Sequence, residues 1–229
     1  MPARAAMNSN RRPPGRDGPE PQFGARAPSV DALLREIRAC TVCAADLPAG
    51  PRPIVQFSDT ARLVIIGQAP GARVHASGIG WDDASGARLR DWTGLAPGIF
   101  YDPARVALIP MGLCYPGARA GGDLPPRPEC APLWHARIMA RLPANRLTLL
   151  VGGYAQRAYL AGRATRSLTQ TVRGFGAHGP GYFPLPHPSW RSAIWMRGNP
   201  WFERDVLPLL RARVGEAVGA TGVADDPAG

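Results

Sequence analysis

Short apolar runs alternate with segments of helical periodicity through the middle of this chain. Val30 to Ala39 reads as a short helix, Leu63 to Gly67 as a buried strand, and Ser85 to Trp92 as a helix opened by a serine N-cap. Val106 to Gly112 reads as a second strand, Glu129 to Leu142 as a helix, Leu147 to Gly152 as a third strand and Tyr154 to Leu160 as a helix. Gly181 to Leu185 supplies the last strand, and Asn199 is expected to cap a helix running through Val214. Uniformly apolar strands separated by helices predict an α/β fold, a parallel sheet covered on both faces. No internal repeat interrupts the pattern.

The two ends depart from it. Residues 1–28 are rich in Arg, Pro and Gly, and residues 215–229 are small and polar, so neither offsets its ordering entropy by burial. The expectation is one domain over residues 29–214 between two disordered tails, in keeping with 229 residues and 24.4 kDa. No stretch approaches the roughly 18 apolar residues of a membrane span, and no apolar signal core follows the N-terminus. A soluble cytoplasmic protein, a monomer with no membrane partner, is expected, on the nucleoid if the cell is bacterial.

Charge then narrows the partner. The net charge of +10 and a pI near 10.6 favour a polyanion, nucleic acid first. All 27 basic residues are arginine, because the chain contains no lysine. Arginine-rich coding in a GC-rich genome explains the same count. Either way, chemistry that needs a neutral side-chain amine, such as a Schiff base, has no lysine to use.

Three groups of residues carry candidate chemistry. The turn Gly67-Gln68-Ala69-Pro70-Gly71 follows a strand directly, where an open α/β sheet binds its ligands, although the same residues also make a plain strand-to-loop turn. His187-Pro188-Ser189-Trp190-Arg191 follows the last strand and puts an imidazole at a second strand end; a loop histidine is the bland alternative. Cys40 and Cys43, with two residues between them, and Cys114 and Cys130 form two clusters that argue for a metal or iron-sulfur site over disulfides. Their spacing does not choose between zinc and a [4Fe-4S] cluster, and buried structural thiols remain the third option.

In order, CTVC, a strand ending in GQAPG, SGIGWDDASGARL, a strand running into CYPG with PEC sixteen residues on, and HPS closely resemble the family 4 uracil-DNA glycosylases. The corresponding stretches of that family read CxxC, GEAPG, TGxPFVGxAGxLL, KCRPP with a cysteine at the same step, and HPA or HPS. The resemblance spans about residues 33–214. It implies a three-layer α/β/α fold with a central four-stranded parallel sheet, and DNA containing uracil or another deaminated base bound across the strands' carboxyl ends. It further implies that Cys40, Cys43, Cys114 and Cys130 hold a [4Fe-4S] cluster, that His187 hydrogen-bonds uracil O2, and that Trp81 stacks on the base. The Gly67–Gly71 turn would supply backbone donors to the base edge.

Two departures matter. Gln68 stands where the family has Glu, so the first motif offers no carboxylate to orient a water, and Asp82 and Asp83 are the nearest candidates. Asp83-Ala84-Ser85-Gly86 also resembles the GDAS segment of family 5 enzymes, which favours Asp83, although an Asp there also suits a helix cap. Pro110 falls where the family reads the uracil amide with Asn, which weakens discrimination among bases. Ser189, Arg191 and Arg197 are expected on DNA phosphates, and Trp190 as a wedge in the vacated stack. The resulting expectation is a monofunctional DNA glycosylase that starts base excision repair. A non-catalytic iron-sulfur or zinc-stabilised protein that recognises uracil or abasic sites is the alternative.

Overall fold

The computed structural model describes residues 29–160, 162 and 167–219. The expected tails therefore lie outside the described residues, except for 215–219. The described chain opens with α1 (Val30–Arg38), whose N-cap Ser29 accepts the amide of Ala32 and whose Leu33 and Ile37 are buried one turn apart. After β1 (Leu63–Ile66) come α2 (Ala72–Ser77), α3 (Ala84–Thr93), the single turn α4 (Pro97–Phe100) and β2 (Val106–Leu108). A small antiparallel hairpin follows, β3 (Ala118–Arg119) with β4 (Gly122–Asp123). Next are α5 (Cys130–Met139), β5 (Leu147–Val151), α6 (Gly153–Tyr159), α7 (Leu168–Arg173) and β6 (Tyr182–Leu185). The described chain closes with α8 (Trp190–Arg197) and a π-helical turn, Phe202–Val206, that runs into α9 (Leu207–Val218).

The central sheet has four strands, all parallel, in the order β2-β1-β5-β6. Every residue of β1, β2 and β5 is buried, as a parallel sheet packed on both sides requires. Alternate residues feed two cores. Leu63 and Ile65 pack with Trp92, Phe183, Phe202 and Val214 on one face, and Val64 and Ile66 with Leu33, Ile37, Trp134 and Ile138 on the other. Each such side chain contributes roughly 1.5–3 kcal/mol by leaving water. The three-layer α/β/α architecture expected from the sequence is therefore the one observed.

Local details differ from expectation for identifiable reasons. Asp83, not a serine, is the N-cap of α3: its Oδ1 accepts the amide of Gly86 at 2.7 Å, two residues earlier than Ser85 would allow. Asn199 does not cap the helix after it; its side-chain amide donates to the carbonyl of Trp195 and closes the end of α8 instead. The last helix continues to Val218, past the expected stop at Val214, because Val218 is still buried and Gly219 ends it in the left-handed conformation. The hairpin, α2, α7 and α8 are too short to show a period in sequence.

Candidate functional site

A cavity of about 580 Å³ opens at the carboxyl ends of β1, β2 and β6. Gly67, Gln68, Ala69, Pro70, Gly71, Trp81, Asp83, Pro110, His187, Ser189, Trp190 and Arg191 all line it. Residues 120 positions apart in sequence thus share one wall. Two sequence candidates do not: Asp82 is outside the lining, its backbone carbonyl taken by Arg73, and Arg197 is exposed in the last turn of α8.

The turn after β1 is fixed by continuation of the sheet ladder. The amides of Met111 and Gly112 donate to the carbonyls of Gly67 and Gln68 at 3.0 and 2.9 Å. Gly67 has no room for a side chain, since a Cβ there would lie 2.6 Å from the Trp81 indole. Trp81 itself has φ of 59°, a conformation that costs a bulky residue about 1–3 kcal/mol unless its surroundings enforce it. They do. Tyr101 and Arg90 both donate to the Trp81 carbonyl, and a Cβ on Gly86 would stand 1.7 Å from that oxygen. The indole is thereby aimed at His187, the ring centroids 5.8 Å apart.

Burial holds the His187 imidazole below the usual 6.5, with the nearby Asp83 charge opposing the shift, so the ring is neutral at neutral pH. A neutral imidazole donates one hydrogen bond without bringing a full positive charge. The loop that carries it is clamped from α3: Arg88 donates to the carbonyls of Pro188 and Ser189 at 3.0 and 2.6 Å. Trp190, 66% exposed, projects from the first turn of α8 at the cavity rim with the Arg191 guanidinium over its ring.

Asp123 in β4 also lines the cavity, and sequence reasoning missed it because a two-residue strand has no pattern to read. Its only signal was the glycine pair Gly121-Gly122 before it, both with positive φ, which mark a tight turn. Partial burial, with Asp83 nearby, holds its carboxyl above the usual carboxylate value.

The four cysteines line a second, much smaller cavity, together with Leu47, Pro51, Pro53, Leu113, Arg127 and Trp134. None is in a disulfide. Among the described residues, no three His, Cys, Asp or Glu side chains form a group that could hold a metal ion. The surroundings nevertheless suit thiolate ligands. The Leu113 amide donates to Cys130 Sγ at 3.2 Å, while the buried indole N–H of Trp134 in the same wall has no partner among the described residues. Burial holds the thiols of Cys43, Cys114 and Cys130 above their usual value, that of Cys130 at about 12.

Comparison with known families matches residues 54–211 to the uracil DNA glycosylase superfamily. The chain belongs to this superfamily. Its members are generally glycosylases, hydrolases that act on DNA, and the matched span contains the whole central sheet and every residue that lines the large cavity. It begins after Cys40 and Cys43, so two of the four cysteines stand outside it. No helix among the described residues is long and apolar enough to cross a membrane.

Proposed function

We propose that this superfamily member is a monofunctional DNA glycosylase of the iron-sulfur, family 4 type, which takes uracil or a related deaminated base out of DNA and hydrolyses its N-glycosidic bond. The observation that carries the reading is a single cavity at the strands' carboxyl ends, holding the GQAPG turn, an enforced tryptophan and a neutral histidine. A base flipped into it stacks on Trp81 and meets the backbone donors of the Gly67–Gly71 turn. As the C–N bond breaks, negative charge collects on the base, and His187 donates to it; one such preorganised donor is commonly worth about 3–4 kcal/mol. Asp83 faces the cation left on the sugar. Trp190 fills the gap in the stack, and Ser189 and Arg191, with Arg197 further along α8, hold phosphates.

The thiol cavity is proposed to hold a [4Fe-4S] cluster on Cys40, Cys43, Cys114 and Cys130. The cluster would supply cross-linking of the chain, not bond cleavage, and the orphaned Trp134 N–H would then find sulfur to donate to. Zinc is the alternative occupant.

Pro110 favours a second reading in one respect. It presents no side-chain hydrogen bond, so the pocket loses one means of rejecting near-isosteres. Base release from oligonucleotides carrying uracil, hypoxanthine, xanthine or oxidised pyrimidines tests both. Uracil excision that falls roughly 100-fold or more in His187→Ala, with abasic-DNA binding retained, is the expected result. Tight binding with no release from any of them would identify a non-catalytic sensor of uracil or abasic sites.

A further inference from the structure

We infer that Asp123 is a catalytic residue of this chain: its carboxylate, carried on the β3–β4 hairpin, orients and deprotonates the water that replaces the departing base. The inference rests on the glycosylase reading above and deepens it.

Among the described residues two carboxylates line the cavity, and their circumstances differ. Asp83 is committed at one oxygen to the Gly86 amide, where it caps α3. The Asp123 carboxylate has no hydrogen bond or ion pair among the described residues, and its Oδ2 lies 3.2 Å from the point that a Cβ on Gly71 would occupy. It therefore stands directly over the GQAPG turn, which has no carboxylate of its own. Gln68 cannot replace it as a base, because a neutral amide takes up no proton; its Nε2 donates to the carbonyl of Leu124, the residue after Asp123. That bond and a second, from Arg191 to the carbonyl of Gly121, pin both ends of the Gly121–Leu124 segment against the cavity.

An unpartnered negative charge at the mouth of a DNA-binding cavity opposes the approach of phosphates, in a chain whose net charge of +10 otherwise attracts them. A role in the chemistry accounts for such a group where a role in binding does not. Partial burial and the neighbouring Asp83 also make this carboxylate a stronger base than one in water.

The step balances without any further reagent. The C1′–N bond breaks with its electron pair moving to the base, leaving a cation at C1′ and an anion held by His187. The water oxygen then forms the C1′–O bond, and its proton passes to the Asp123 carboxylate and on to solvent. The base anion takes a proton from solvent. One water is consumed, and the carboxylate is regenerated.

Asp123→Asn keeps the shape of the side chain and one of its two acceptor oxygens but cannot take up that proton. Single-turnover release from uracil-containing DNA at saturating enzyme should fall by about 100-fold or more, within the range of general-base catalysis, while affinity for abasic DNA and melting temperature hold. The acid limb of the wild-type rate profile should disappear in the same variant. Asp83, His187 and Arg191 also face the cavity, so Asp83→Asn is run in parallel; it retains an N-cap and separates the two carboxylates. Wild-type release by Asp123→Asn, or an acid limb removed only by Asp83→Asn, overturns the assignment. A wild-type chain that releases no base from any substrate overturns the glycosylase reading, and this one with it.

Discussion

At the scale of single residues, the site is built by exclusion as much as by contact. Gly86 is required because its neighbour is a carbonyl oxygen rather than a side chain that can swing aside. Gly86→Ala should force the Trp81 turn open and destabilise the fold by about 1–3 kcal/mol, as overpacking does, with loss of base release at temperatures where the variant is still folded. Urea melts beside release assays check this; an unchanged melt would show that the turn yields. The buried histidines make a different claim. His187 and His135 are both held below 6.5 by burial, so the unfolded chain binds more protons than the folded one just below that pH. Stability should therefore be fully present above pH 6.5 and fall as the pH drops from there through the lower folded values. His187→Gln and His135→Gln should each flatten part of that acid-side slope in melts across pH.

At the scale of elements, the two cavities are joined by one stretch of chain. The segment from Cys114 to Cys130 carries the β3–β4 hairpin on its way from the sheet to α5, so thiol ligation at its two ends would shorten the mobile length between them. Cys40 and Cys43 follow α1 and join the same wall from the other side. If the thiols hold the proposed cluster, Cys114→Ala should lose its iron, and with it much of the solubility. Aerobically purified wild type should carry about four irons per chain and absorb near about 400 nm. Protein without iron and of full stability would leave the thiols as packing groups, and stoichiometric zinc would give the site to a single ion. His135 adds a second link, bridging the Pro110 carbonyl and the Tyr159 hydroxyl at 3.0 and 2.7 Å, so that the floor of the large cavity is tied to α5 and α6.

At the scale of the whole molecule, composition restricts the reaction. Strand cleavage by a glycosylase proceeds through attack of an amine on the sugar, and this chain has no lysine to provide it. Its α-amino group lies outside the described residues. The enzyme should leave an intact abasic strand that breaks only with alkali or heat, and borohydride should trap no covalent complex. Efficient trapping by a chain lacking residues 1–28 would refute the hydrolytic course. The same arginine excess should make DNA binding fall steeply with salt, through release of counterions.

The sequence by itself determined the architecture, because four uniformly apolar runs interleaved with helical periods fit only a sheet buried on both faces, and the observed sheet has four strands, all parallel; their order came from the structure. It also placed the turn after β1 and His187 at strand ends, where a parallel sheet leaves backbone donors and side chains unclaimed, while Trp81 comes only from the family resemblance; all of them line the large cavity. Tertiary structure put Asp83, which the resemblance favours, in the cavity wall and left Asp82 out of it, since adjacent positions differ only in which way the backbone turns them. It alone brought Asp123 over the Gly67–Gly71 turn, through a hairpin too short to have a period and held by Gln68 and Arg191 from distant parts of the chain. Local periodicity records what a segment buries, and it carries no information about which distant segment will lie across it.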